Sequence, residues 1–419
     1  MTTRLTDAPA LPPARVAGAR TAVFVVFGLA GLVFASWASR IADTKVALGL
    51  TAGELGVTLL AASVGSVVGL PLAGRVSDRL GASRTVALGM GVALAGLVAV
   101  GAVVTTGGSR LVIGAGLFLL GLGVGLWDVA MNLEGAGVER ALGRSVMPHF
   151  HAAFSGGTVV SALIGAGMSW GSVSLLAHFV GSAVVTVGLA VWAVPRFLPR
   201  SAVPSSTDAA TGAPVRQRSA WLEPRTLLIG VVVLAAAFTE GTANDWLAVA
   251  FTEGHDVPEW VGVLGFATFL TFMTVGRILG TGLIDTYGRI PVLRVSFALA
   301  VLGAALVVFG SDWVAFIGSA VWGVGAALGF PVGMSASADD PARAAARMSV
   351  VATIGYVAFI AGPPLLGFLG DRVGVLHSLL VVGALAVLAL SVVPSVREPD
   401  GRPRSAPRPP APATDAPVG

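Results

Sequence analysis

Asp128 and Asn132 stand four residues apart, just past an uncharged apolar run from Leu111 to Leu126, and Glu134 follows two residues later. On a helix Asp128 and Asn132 share a face, one turn apart. A carboxylate at the centre of a bilayer costs about 2.5–3.5 kcal/mol on insertion scales, so such a group implies a partner or a task. In a water-filled path a carboxylate can take up and release protons, and an amide can both donate to and accept from a solute hydroxyl. Asp128 is therefore a candidate proton carrier and Asn132 a candidate substrate ligand. The structural alternatives are an acid paired with a neighbouring helix's arginine or a backbone group, and an amide that glues two helices. Glu134 lies nearer the helix end, where an ion pair with Arg140 or Arg144 is expected.

A second polar cluster comprises Glu240, Asn244, Asp245 and Trp246. Glu240 and Asn244 share a face, while Asp245 and Trp246 are turned from Asn244 by about 100° and 200°. Glu240 is a second candidate for proton coupling. Asn244, Asp245 and Trp246 are candidate substrate contacts, because sugar sites pair hydrogen-bonding groups with an aromatic face. The alternative for Asp245 and Trp246 is an anchor at the outer interface. His149 and His151 follow Pro148, which suits the first turn of a helix. At i, i+2 the two rings face apart, a poor metal pattern, and His151 is the candidate for a proton-relay or substrate contact. Trp37 and Arg40 close an earlier apolar run. They are candidate substrate contacts, or else an interfacial aromatic and an arginine that snorkels or pairs with Asp245. With no cysteine in the chain, thiolate metal sites, disulfides and cysteine nucleophiles are excluded. No metal and no cofactor are expected.

The elements that must hold these groups are membrane helices. Of 419 residues, 55% are hydrophobic and only 11% charged, where a soluble domain carries about 25% charged. Mean hydropathy is +0.86. Runs of the roughly 20 apolar residues needed to cross the hydrocarbon number twelve: 18–40, 53–74, 84–105, 110–134, 147–168 and 173–195, then 225–250, 258–283, 291–310, 312–334, 346–369 and 374–394. The run 196–224 is rich in Pro, Ser, Ala and Arg and reads as a linker between halves. Residues 1–17 form an N-terminal tail, and 395–419 read as a disordered one. The pI near 10.5 does not point to nucleic acid, because the basic residues fall between apolar runs. With both termini on the cytoplasmic side, 22 of the 26 Lys and Arg lie inside, Arg277 among them. Gly121-Leu122-Gly123-Val124-Gly125 lies within a span with no strand before it, so it reads as helix packing rather than a phosphate loop.

The halves echo each other. After the second span comes Gly74-Arg75-Val76-Ser77-Asp78-Arg79-Leu80-Gly81-Ala82-Ser83-Arg84, and after the eighth comes Asp285-Thr286-Tyr287-Gly288-Arg289. An acid and arginines in a tight turn can bridge two bundles, with a helix N-terminus of the other bundle as partner for Asp78. Glycines let such a turn approach closely. Gly74, Asp78, Arg79, Gly81, Arg84, Asp285, Gly288 and Arg289 are thus a candidate gating motif.

Gly74-x3-Asp78-Arg79-x-Gly81-x2-Arg84 resembles the signature between the second and third helices of the major facilitator superfamily, and the resemblance extends over nearly the whole chain. Ala35-Ser36-Trp37-Ala38-Ser39-Arg40, Asn132-Leu133-Glu134-Gly135-Ala136, Glu240-Gly241-Thr242-Ala243-Asn244-Asp245-Trp246-Leu247, and Val350 to Gly367 are similar to a branch that includes YbjJ and rhizobial membrane proteins associated with rhizopine. More distantly, Asp128-x2-Met131-Asn132 is similar to the fourth helix of proton-coupled fucose permeases, with His151 in place of a fifth-helix glutamine. The first-helix acid of those permeases has no counterpart, since Ala38 takes its place.

The expected fold is all-α, twelve transmembrane helices in two pseudo-symmetric six-helix bundles. The expected function is proton-coupled secondary transport of a small polar solute, such as a sugar, polyol or amino-cyclitol, by rocking of the bundles about a central site. Efflux of drugs or metabolites by proton antiport is one alternative, and a non-transporting sensor or scaffold is another. The chain should be a monomeric, multi-pass protein of the inner membrane, and no enzyme.

Overall fold

The computed structural model describes residues 12–144, 146–199, 219–340 and 343–398. Every long element is a helix, and among the described residues twelve stretches are long and apolar enough to span a bilayer. The first half holds α1 (Pro13–Ala38) continued by α2 (Ile41–Leu48), then α3 (Ala52–Leu80), α4 (Ala82–Thr106), α5 (Arg110–Leu142), α6 (Met147–Trp170) and α7 (Leu175–Ala193). The second holds α8 (Pro224–Gly254), α9 (Glu259–Tyr287), α10 (Arg289–Phe309), α11 (Asp312–Ala326) with α12 (Gly329–Ser337), α13 (Ala344–Val373), and α14 (Val375–Ser378) with α15 (Leu380–Val392). Pro13 and Pro224 start their helices, and Thr51 with Glu54 forms a capping box at the start of α3.

The first helix begins at Pro13, inside the stretch assigned to a tail, and most of the tail, 1–11, lies outside the described residues. The same holds for 200–218 of the linker and 399–419 of the C-terminal stretch. Residues 395–398 are docked rather than disordered. Arg225 donates to the carbonyls of Ser395 and Arg397, at 3.0 and 2.9 Å, and Glu398 accepts from the backbone N–H of Arg289 at 2.7 Å.

The helices of each half pack in the same order. In the first half α5 lies against α3 and α4, and in the second α11 lies against α9 and α10. Gly121 shows why small residues are needed there: a Cβ would run into the backbone of Ala62 on α3. Large apolar side chains such as Val191, Leu279, Ile317 and Phe368 are more than half exposed, a surface that requires lipid to cover it.

The halves touch along two seams, α3 against α13 and α6 against α9. One end of the bundle, the terminal end, holds the starts of α1 and α8. At the opposite, far end the halves are clasped. Lys45 pairs with Glu253, and Asp371 accepts from the Gly53 N–H at 3.0 Å and from the Thr51 hydroxyl at 3.3 Å.

Candidate functional site

Asp128 and Asn132 project from α5 half-buried, and they bond to each other. The Asn132 amide donates to the Asp128 backbone carbonyl at 2.9 Å and to its carboxylate at 3.3 Å. Across the gap between halves, the Asp128 charge acts on Tyr356 of α13. The chain has two tyrosines, and Tyr356 is the one in the middle of a span. That rarity is the signal that could have marked it from sequence. Its ring lies 6.4 Å from that of Phe359.

Glu240 on α8 accepts from the Arg277 guanidinium on α9 at 2.8 Å, with side chains 21% and 31% exposed. Arg277 therefore does not belong to a cytoplasmic loop, as the charge count had it. It lies ten residues before the end of α9 at Tyr287, about 15 Å of helix. Its Nε also reaches the carbonyl of Ala327 at 3.4 Å, where the tenth span breaks between α11 and α12. A helix break at membrane depth frees carbonyls, and a donor that answers one keeps the break tolerable. The charge of Arg277 acts on His151 across the α6–α9 seam. The His151 ring is exposed and lies edge-on to Phe27 at 5.2 Å.

One turn beyond Glu240, Asn244 is half-buried and its Oδ1 is buried with no hydrogen-bond partner among the described residues. Asp245 turns to a small cleft between α8 and α13, bordered by Thr242, Phe359 and Pro363. Trp246 is fully buried, so it is not an interfacial anchor, and its indole N–H has no hydrogen-bond partner among the described residues. A buried donor or acceptor without a partner is costly, so both atoms call for a partner from outside the described residues.

Trp37 and Arg40 lie elsewhere. Both are buried within the first half. Trp37 lies 6.5 Å from Phe179, and Arg40 donates to the Val173 carbonyl at 2.8 Å and pairs with Asp43 at 3.2 Å rather than with Asp245. Ser169 in turn donates to Asp43 at 2.9 Å. Glu134 pairs with neither Arg140 nor Arg144. Its carboxylate accepts from the Leu198 N–H at 2.5 Å, with Arg15 as the nearby cation.

In the gating stretch, Gly81 ends α3 and starts α4 at φ 83°, ψ 160°, and Gly288 repeats this between α9 and α10 at φ 83°, ψ 168°. Side-chain-bearing residues avoid that region, so both glycines serve the turn itself. Gly74 and Asp78 are half-buried, and Arg79, Arg84 and Asp285 are exposed. Arg289 is buried and held within its own half by both carboxylate oxygens of Asp339, at 2.9 and 3.0 Å.

The structure thus gives two polar groups, Asp128 with Asn132 near Tyr356, and Glu240 with Arg277 near His151 and one turn from Asn244, and it leaves Trp37 and Arg40 apart from both. These groups can hydrogen-bond a polar solute and hold protons. Among the described residues no cluster of three metal-ligating side chains is found.

Comparison with known proteins fits this geometry. The sequence model of the Major Facilitator Superfamily matches residues 260–418. The chain is 30% identical to "Uncharacterized transporter y4wD" of Sinorhizobium fredii, over 89% of this chain and 96% of that one. It is 29% identical to an uncharacterized MFS-type transporter of Yersinia pestis, over 89% and 94%. Among solved structures, the nucleoside transporter NupG superposes with a TM-score of 0.71 at 14% identity, covering 90% of this chain and 98% of that one.

Proposed function

This chain belongs to the major facilitator superfamily, and from that premise we propose that it moves a small polar solute across the inner membrane by alternating access, coupled to protons. It is a multi-pass membrane transporter and not an enzyme. The observation that carries the finer reading is the Asp128–Asn132 pair on one half, where the amide donates to the carboxylate, with Tyr356 of the other half within range of that charge. A carboxylate, an amide and a phenol between two rocking bodies can hold a hydroxyl-bearing solute in either orientation of the bundles. The clasp at the far end supports access from the terminal end in the present arrangement. The distribution of Lys and Arg supports a cytoplasmic side for the terminal end and both termini, and the protein acts as a monomer in this reading.

The test is purified protein in proteoliposomes with an internal pH reporter, offered sugars, polyols and cyclitols in turn. Uptake of one of them with a matching pH change is expected. Uptake with no proton movement at any imposed gradient would remove the coupling. Movement of cationic drugs alone, against a proton gradient, would turn the reading to efflux.

A further inference from the structure

Arg277 is the basic side chain set deepest in a described span, and its charge is only partly used. One Nη2 contact goes to Glu240 at 2.8 Å and a long Nε contact goes to Ala327 at 3.4 Å. Its Nη1 makes no hydrogen bond among the described residues, and close to a third of the side chain is exposed. The pair is therefore not sealed as a structural ion pair between α8 and α9 would be. Desolvating two charges costs several kcal/mol per ion, so a buried pair of this kind is weak evidence for stability by itself. Arginine's planar fork matches a carboxylate, and such pairs are commonly bidentate.

We propose that Arg277 docks a carboxylate carried by the solute, and that Glu240 is the group this carboxylate displaces. The solute class is a hydroxylated monocarboxylate. The inference rests on the transporter reading above and narrows its substrate. In the empty site Glu240 neutralises Arg277. When the solute's carboxylate takes the guanidinium, Glu240 is left beside a second anion and binds one proton from solution. No covalent bond is made or broken. One anion and one proton enter together, and the net charge between the halves is unchanged.

The surroundings favour a single negative charge. Of the titratable groups on neighbouring elements, His151 on α6 lies within range of the Arg277 charge, Asp245 turns to its own cleft between α8 and α13, and Asp128 on α5 lies within range of Tyr356 on α13. With Glu240 protonated, one guanidinium is neutralised by a monoanion, and a dianion such as a phosphate monoester would leave a negative charge unpaired. Hydroxyl groups have partners of the right kind. The orphaned Oδ1 of Asn244 needs a donor, and Asn132, Asp128 and Tyr356 lie on the other elements that line the gap.

The experiment is thermal stability of purified protein with lactate, glycerate, gluconate, glucuronate or quinate, each beside a neutral counterpart such as glycerol, sorbitol, glucose or inositol, at equal ionic strength. A ligand that binds the folded state raises the melting temperature. At least one carboxylate should stabilise the wild type, with affinity rising up to tenfold per pH unit of acidification, as expected for uptake of one proton. Arg277→Gln should lose that response. Glu240→Gln, which imitates the protonated acid, should keep it and lose its pH dependence. If Arg277→Gln does not fold, the double variant Arg277→Gln/Glu240→Gln carries no unpaired charge and should bind no carboxylate. Carboxylates silent while a neutral polyol binds and moves protons would overturn the anion site and leave the transporter reading standing. Loss of carboxylate binding in Glu240→Gln as complete as in Arg277→Gln would overturn the exchange.

Discussion

Asp371, in the last turn of α13, accepts a hydrogen bond at 3.0 Å from the backbone N–H of Gly53, in the first turn of α3. Helix N-termini leave N–H groups unpaired and favour a negative charge. Thr51 joins in by donating its hydroxyl to the same oxygen. The sequence around Asp371 repeats that around Asp78: Asp371-Arg372-Val373-Gly374 matches Asp78-Arg79-Leu80-Gly81. Gly374 and Gly81 both sit at φ 83° between two helices. Asp371→Asn, or Gly53→Ala, whose Cβ would press on the Asp371 carboxylate, should loosen the far end. The chain has no cysteine, so a single cysteine at the buried far-end position Leu50 can report it. Labelling by a membrane-impermeant maleimide should rise several-fold in either variant. Unchanged labelling would show that the far end is held by packing alone.

Asp78 is expected to act on the opposite end through the same chemistry. Asp78→Asn should lower transport rate more than equilibrium solute affinity, since it alters a balance of states and not a binding contact. Parallel measurement of exchange rate and of binding decides this. An unaltered rate at every pH would reduce the loop to a topological anchor.

The two-bundle arrangement with both termini inside predicts reporter behaviour. Fusions placed after Arg200 and after Arg397 should both report cytoplasm. A periplasmic signal at either place would contradict the orientation that the arginine distribution supports.

The spans were legible because apolar length is a one-dimensional property: a bilayer demands it of each helix separately. The face each helix presents is not. Arg277 counted as a loop charge because a tally of basic residues cannot see Glu240, which lies on the preceding span and closes the pair only in three dimensions. Tyr356 stayed hidden for the same reason, since Asp128, within range of it, lies in the other half. Trp37 and Arg40 read as substrate contacts because they close a span. The fold instead turns them into the first half, where Asp43 and the Val173 carbonyl answer the guanidinium. Asp128 and Asn132 were readable because their relationship is local, one turn of one helix. Residues 395–398 read as disordered on composition, which cannot register carbonyls held by Arg225.

Glu223, just before α8, offers a pH test outside the spans. Burial works against its charge, but hydrogen bonds from Arg347 at 2.7 Å and Thr226 at 2.9 Å, with the charges of Arg347 and Arg343, outweigh it and hold the carboxyl below the usual glutamate range. A lowered folded value means that the stabilisation is present above the unfolded value of about 4.3 and is lost as pH falls through the folded one. Glu223→Gln should cost about 1–3 kcal/mol at neutral pH, as for a hydrogen bond to a charged group. Melting curves of both proteins taken into the acid range should converge. A gap that stays constant with pH would mean that the charge of Glu223 is not what stabilises this end.

Asp128 carries the sharpest prediction. Its carboxylate accepts a hydrogen bond from Asn132 and forms no ion pair among the described residues. If it alternates between charged and neutral forms during transport, an amide imitates only the neutral form. Asp128→Asn should then abolish uphill accumulation and lower solute-induced proton flux to what Glu240 alone can carry, while exchange between equal pools continues in part. Asp128→Glu keeps a titrating group and should retain some coupling. A merely structural Asp128 would behave differently: the amide variant would be made in low yield, and the fraction that folds would pump as the wild type does. Solute-induced pH change in proteoliposomes, with and without an imposed gradient, separates the two. Normal proton flux in well-folded Asp128→Asn would sink the assignment and leave the proton taken up by Glu240, beside Arg277, as the whole of the coupling.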